Sequence, residues 1–313
     1  MTPAITLDAL TKRYGGVAAL TDLTLDVPAG SIFGFLGPNG AGKTTALKIL
    51  AGLSRATSGT ATIDGVPVGV QGAHRSRVGY LAQEPRFYGW MTGRQTLEYV
   101  ASFYAVETSR RQVDELLELV GLADAGDRAT KTYSGGMRQR LGIAQALAGN
   151  PSVVLLDEPA AALDPLGRHD VLEIMRRLRG DKTIFYSTHI LDDVERVSDH
   201  VAILDHGRLV VSAPTAELVA SAPGTVRVVL IGASDSTAAS LAGLPGVSRV
   251  APAGREDDEW SYDITIRDGQ TRLVQREVMR LAADAGLIVA ANRQQAPGLE
   301  EVFLSIVDKE RAA

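Results

Sequence analysis

Residues 32–45 read Ile32-Phe33-Gly34-Phe35-Leu36-Gly37-Pro38-Asn39-Gly40-Ala41-Gly42-Lys43-Thr44-Thr45. The first five form an apolar run of strand length. The rest fits G-x-x-x-x-G-K-[ST], followed by a helical pattern to about Leu53. Strand, glycine turn and helix together predict the opening of a βαβ unit. The chemistry of such a turn follows from its backbone. Gly37, Pro38, Asn39, Gly40, Ala41 and Gly42 can wrap so that several N–H groups point inward at phosphate oxygens. The helix that starts beside Thr44 and Thr45 adds its N-terminal partial positive charge. Lys43 supplies a compact cation for the terminal phosphates, and the Thr44 hydroxyl is placed to complete a Mg²⁺ shell. This stretch therefore predicts binding of a nucleoside triphosphate.

Two further stretches point to the same ligand. Val153-Val154-Leu155-Leu156 is a continuous apolar run, as expected of a strand buried on both faces, and it ends in Asp157-Glu158-Pro159. Carboxylates at the C-terminal edge of a parallel strand stand where α/β sheets bind ligands. Asp157 is placed to hold Mg²⁺, and Glu158 to polarise an attacking water. Ser134-Gly135-Gly136 opens a helical pattern to Leu147, offering a hydroxyl, free N–H groups and a helix dipole to an anion. Alone, Ser134 reads equally well as an ordinary N-cap.

Composition limits the alternatives. The 313 residues carry 32 basic and 37 acidic side chains, a net charge of -5, the wrong sign for a generally basic nucleic-acid binder. The absence of cysteine removes disulfides, thiolate zinc sites and thiol catalysis. No run of eighteen apolar residues occurs, and Met1–Leu10 lacks the pattern of a secretion signal, so contact with a membrane is expected to go through a partner.

The pattern along the chain predicts short, mostly antiparallel strands over residues 5–36, broken at Gly15-Gly16 and Pro28-Ala29-Gly30. A helical stretch runs from Thr92 to Leu122, with Val113, Leu116, Leu117 and Val120 on one face. A further helix holds Val171–Leu178, a strand Thr183–Ser187, and a hairpin turns at Asp205-His206-Gly207. After a linker helix within Thr215–Gly224 the pattern resets to β-α-β-β-α-β, with an acidic turn at Glu256–Glu259 and a last helix over Gly298–Val307. The expected domains are 1–221, with a helical subdomain at about 84–150, and 222–313.

In order along the chain stand the glycine loop, Gln83 after a strand, Tyr133-Ser134-Gly135-Gly136-Met137, Asp157-Glu158-Pro159, Ala162-Leu163-Asp164, and His189 after a strand. That order and spacing over some 220 residues resemble the ATP-binding cassette of ABC transporters. The resemblance implies an α/β P-loop NTPase of ABC type: a mixed sheet core, an antiparallel β subdomain and a helical subdomain. The tail reads as a small α+β ferredoxin-like domain. The resemblance also implies roles. Tyr14 matches the aromatic that stacks on adenine, Gln83 the glutamine that touches Mg²⁺ or water and senses the membrane partner, and His189 the switch histidine. Ser134, Gly135, Gly136 and Asp164 match elements that complete the ATP site of a second subunit. On their residues alone, Tyr14 could be a packed tyrosine, Gln83 a surface amide and His189 a strand-end histidine. His74, His169, His200 and His206 match nothing and read as structural or surface residues.

The sequence departs from the usual pattern at Tyr133 and Met137, where Leu and Gln are commonest, and at Ala160-Ala161-Ala162. The Tyr-Ser-Gly-Gly-Met form, the C-terminal extension and its ending Pro297-Gly298-Leu299-Glu300-Glu301-Val302-Phe303-Leu304 look like cassettes of exporters whose permease is a separate chain, with the daunorubicin-resistance type as the comparison. What is then implied is an ATPase using ATP and Mg²⁺. It works as a homodimer at the cytoplasmic face of the membrane, docked on a separate integral membrane permease, with no nucleic-acid partner. Phe87, Tyr88 and Trp90 are the expected docking residues, the alternative being that they pack beneath the helical subdomain. A soluble ABC ATPase of ribosomes or nucleic acid is the alternative from another class. It is disfavoured by a single set of motifs and by only about ninety residues, without sustained heptads, between Lys43 and Ser134. An import ATPase is a third reading. For the C-terminal domain the expected role is bracing the dimer, with ligand sensing as the alternative.

Overall fold

A computed structural model describes residues 3–69, 72–104, 109–220, 224–267, 270–295, 298–300 and 302–303. The chain divides into two compact units, Met1–Thr215 and Ala216–Ala313.

The first unit opens with β1 (Pro3–Tyr14) and β2 (Val17–Pro28), two twelve-residue strands rather than the expected short ones. Their antiparallel register shifts at several points, and these irregularities let one long hairpin pass through breaks in the alternating pattern. β3 (Ile32–Leu36) leads through the glycine loop into α1 (Lys43–Leu50). The helix stops before the predicted Leu53, whose N–H turns back to Lys48 O at 2.8 Å. β4 (Ser58–Ile63) and β5 (Val66–Pro67) complete an antiparallel sheet of order β2-β1-β4-β5. β6 (Val78–Leu81) follows.

Among the described residues the predicted helical stretch from Thr92 to Leu122 holds two helices, α2 (Gly93–Ala101) and α3 (Arg110–Leu119), while its residues 105–108 lie outside the described residues. The reason lies in residues that a periodicity count overlooks. Thr92 with Gln95, and Ser109 with Gln112, each form a reciprocal capping box that starts a helix afresh. α4 (Gly135–Leu147), β7 (Val153–Asp157), α5 (Pro165–Leu178), β8 (Thr183–Thr188), α6 (Leu191–Val197), β9 (His200–Asp205) and β10 (Arg208–Pro214) complete the unit.

The second sheet has the order β10-β9-β3-β8-β7-β6, parallel except for β10, and so is mixed. Val153, Val154, Leu155 and Leu156 are fully buried in β7, as a strand covered on both faces requires. Phe185 of β8 packs between Phe33 and Phe35 of β3, with ring centroids 5.6 and 5.1 Å away.

α7 (Thr215–Ala220) covers part of the expected linker, whose residues 221–223 lie outside the described residues. The second unit then runs β11 (Thr225–Ile231), α8 (Thr237–Ala242), β12 (Val247–Glu256), β13 (Glu259–Ile266), α9 (Thr271–Asp284) and β14 (Ile288–Gln295). Its antiparallel sheet has the order β12-β13-β11-β14. Val226, Val228, Leu230, Tyr262 and Ile264 from alternate strand positions pack with Val274 and Val278 of α9 in a separate core. The acidic turn is shorter than expected, because Glu256 and Glu259 pair across the strands and leave Asp257-Asp258 at the tip. Of the predicted last helix, residues 301 and 304–307 lie outside the described residues, while Leu299 and Val302 are buried.

Candidate functional site

The glycine loop is shaped by close backbone approaches. A Cβ at Gly37 would strike the Leu204 carbonyl, and one at Gly42 the Ala19 carbonyl; Gly42 also sits at φ +104°. Neighbouring strands thus press directly on the loop. The turn after β9 adds a hydrogen bond from Gly207 N to Ala41 O at 3.0 Å, and Thr21 N of β2 donates to Gly207 O at 2.8 Å. The loop is therefore held by both sheets of the unit.

Lys43 is buried, its ammonium donating to Gly37 O at 2.6 Å and Pro38 O at 3.1 Å. The same nitrogen lies 3.3 Å from Glu158 Oε1. Thr44 Oγ1 donates to Asp157 Oδ1 at 3.0 Å. His189 Nδ1 lies 2.9 Å from Glu158 Oε2. An ionised carboxylate can only accept, so in this contact Nδ1 carries the proton and the other ring nitrogen remains for a further partner. The parallel order of β3, β8 and β7 brings the ends of three strands side by side, so residues more than a hundred positions apart meet at one edge.

Asn39, Gly40, Gly42, Lys43, Thr44, Thr45, Gln83 and Glu158 line a cavity of 350 Å³ at this edge, together with Ala19 and Ala41. Asp157 reaches it through Thr44, and His189 through Glu158. Tyr14, Ser134, Gly135, Gly136 and Asp164 are not in that lining. Tyr14 is exposed at the end of β1, its hydroxyl 3.4 Å from Ser54 Oγ and its ring covered by Lys12 Nζ at 4.7 Å. Ser134 is exposed and caps α4 by accepting from Met137 N at 3.2 Å. This uses an acceptor site and leaves its O–H free to donate. Asp164 caps α5 by accepting from Gly167 N at 2.9 Å. Tyr133 explains its own departure from leucine: it is buried, and its hydroxyl donates to Ala125 O at 2.7 Å, tying the start of α4 to the turn after α3.

Two residues of the site had no motif to announce them. Ser187, fully buried on β8, donates to Asp157 Oδ1 at 2.7 Å while accepting from Glu158 N at 2.9 Å. One hydroxyl thus joins both acids. It also secures the Glu158 backbone in the left-handed region, φ +50°, where a non-glycine residue needs support. Tyr80 of β6 stands beside Asp157; burial and that carboxylate push its hydroxyl up to about 12. The only signal in the sequence was position, Ser187 lying two residues before His189. Replacing Ser187 with Ala is expected to lower unfolding free energy by about 1–3 kcal/mol, since a buried N–H loses its acceptor. Denaturant titration measures this, and an unchanged midpoint would show that Glu158 N finds another acceptor.

Of the remaining histidines, His74 is fully buried, and burial followed by the Arg75 charge pushes its imidazole down. On α2 and the segments flanking it the rings of Trp90, Tyr88, Tyr99 and Phe103 form an exposed chain, with successive centroids 6.1, 6.4 and 5.0 Å apart. Trp90 is 74% exposed and Phe103 70%, so these rings do not pack beneath the subdomain. Phe87 is half-buried. Tyr99 and Phe103 were not expected in this patch; they join it because α2 folds back beside the segment after Gln83.

With loop, carboxylates and histidine converging on one cavity, comparison with known proteins is informative. Residues 20–161 match the family model described as ABC transporter. An uncharacterized ABC transporter ATP-binding protein of Nostoc sp. is 45% identical over 210 residues, covering 66% of this chain and 62% of the relative. The daunorubicin resistance ATP-binding protein DrrA3 of Streptomyces coeruleorubidus is 34% identical over 313 residues, covering 98% of this chain and 97% of the relative. A solved ATP-binding subunit of an ABC transporter superposes with a TM-score of 0.63 at 29% identity, covering 69% of this chain and 91% of that one. Similarity along nearly the whole length, together with the order of the motifs around the cavity, establishes that the chain belongs to the ATP-binding proteins of ABC transporters.

Proposed function

We propose that this chain is the ATP-hydrolysing subunit of a membrane exporter, working as a homodimer docked on a separate integral membrane permease. The observation that carries this reading is the convergence of Lys43, the Thr44–Asp157 pair and the Glu158–His189 pair on one cavity. Lys43 exchanges its loop carbonyls for the terminal phosphates. The hydroxyl of Thr44 and the carboxylate of Asp157, 3.0 Å apart, are hard oxygen donors that suit Mg²⁺ and would hold it. Held there, the ion would supply charge neutralisation for the phosphates. Glu158 takes the proton of the attacking water, and Ser187 keeps its backbone in place. His189, held through Nδ1 by Glu158, orients the terminal phosphate, while Gln83 at the rim senses the ligand. Tyr14, exposed, offers a face to the adenine.

Ser134, Gly135, Gly136 and Asp164 act in trans, on the nucleotide of a second copy. Two identical chains then form a two-fold interface with two equivalent sites. ATP closes this dimer because it binds the closed form better, and hydrolysis removes that preference. Residues 1–221 are the motor on this reading and 222–313 an accessory domain that braces it. The daunorubicin-resistance relatives support export.

The exposed aromatic chain suits a groove for a permease helix. Replacing Tyr88 and Trp90 together by Ala is expected to weaken co-purification with the membrane partner roughly tenfold, as loss of aromatic anchors does, while ATP affinity is retained. Undiminished recovery of the complex, or recovery with ribosomes in place of a membrane protein, would overturn the docking assignment.

A further inference from the structure

Arg168 and Asp193 form an ion pair outside the nucleotide cavity, with Nε 2.5 Å from Oδ1. Asp193 is 1% exposed, and burial pushes its carboxyl up against the opposing pull of Arg168. Taking two charges out of water costs several kcal/mol each in general, so such a pair is weak evidence of a stabilising role. Its location suggests another. Arg168 is in the first turn of α5, four residues after the capping Asp164. Asp193 is in the first turn of α6, four residues after His189. The same helix α5 carries Asp170, whose carboxylate lies 3.2 Å from Arg140 of α4, the helix that begins at Ser134. One rigid helix is thus tied on one side to the element that opens at Ser134 and on the other to the element that follows His189.

We infer that Arg168–Asp193 is a positioning pair that sets where His189 stands against Glu158. It fixes the start of α6 to the start of α5, so a displacement of Asp164 is carried to His189 through a first-turn to first-turn contact. This rests on the proposed reading, in which Asp164 faces the second copy: the pair makes hydrolysis in one chain answer to the seating of its mate. A helix is stiff and interiors are close-packed, so a shift of an ångström at one terminus is transmitted rather than absorbed.

The test is a mutant cycle on the full-length chain. Arg168→Met is expected to lower kcat roughly tenfold, the scale of cost when a reacting group is slightly misplaced, with KM for ATP changed less than about twofold. In a His189→Ala background the same substitution is expected to lower kcat no further. Losses that multiply in the two backgrounds, or an unchanged kcat, would overturn the inference. Because Arg168→Met leaves Asp193 buried without its partner, a second variant, Arg168→Met/Asp193→Leu, replaces the pair by apolar side chains. It is expected to melt within a few degrees of the parent yet turn over as slowly as His189→Ala. Parental turnover in that folded variant overturns the inference as well. Should His189→Ala itself hydrolyse ATP normally, it is the role proposed for His189 that fails, and should the parent chain not hydrolyse ATP, it is the proposed function; the failures are thereby distinguished.

Discussion

The Glu158→Gln variant is expected to bind ATP, to hydrolyse it about 10²–10⁴-fold more slowly and to accumulate as closed dimers, the range set by loss of a general base. The amide has the shape of the carboxylate, and the bond from Glu158 N to Ser187 does not involve the substituted group. His189 Nδ1 can still donate to the amide oxygen. What disappears is the capacity to take a proton and the negative charge 3.3 Å from Lys43. With that charge gone, Lys43 is freer to serve the phosphates, so affinity is retained or rises while chemistry stops. Single-turnover hydrolysis and light scattering with Mg²⁺–ATP measure the two effects. Turnover near the parental rate would require another base, and slow turnover without dimers would argue against closure around ATP.

Lys43→Ala acts at the opposite step. Its expected effect is a rise of roughly 10²-fold in the Kd for ATP, equivalent to a charged hydrogen bond of up to about 3 kcal/mol lost from a buried site. A second cost falls on the protein itself. Glu158, 7% exposed, would lose the cation 3.3 Å from its carboxylate, and removal of one member of a buried pair costs about 3–5 kcal/mol. The Lys43→Ala/Glu158→Gln double variant separates the two. Its melting temperature should recover toward the parent because the orphaned charge is gone, while ATP binding should stay weak. Nucleotide titration and thermal unfolding together decide; a double variant that regains both stability and affinity would show that Lys43 serves the fold rather than the ligand.

Part of the site was legible because its chemistry is local. A loop that must let Leu204 and Ala19 carbonyls approach needs glycine at 37 and 42, and those glycines stand in the sequence beside the lysine they present. Asp157 and Glu158 follow directly on a strand whose apolar run announces burial. The helical stretch was legible as helical from its apolar spacing, while its division lies in Thr92 and Ser109, each of which starts a helix through its cap.

The sequence by itself determined the glycine loop, the buried strands and the acidic strand end, because each depends on residues within a turn or a single strand of one another. Only the tertiary structure decided which distant groups meet: Ser187 with both acids, His189 with Glu158, Arg168 with Asp193, and the ring of Tyr99 with Tyr88 and Phe103. The physical reason is sheet order. Setting β3 beside β8 and β8 beside β7 brings strand ends from remote parts of the chain to one edge, and no local pattern records which strands will be neighbours.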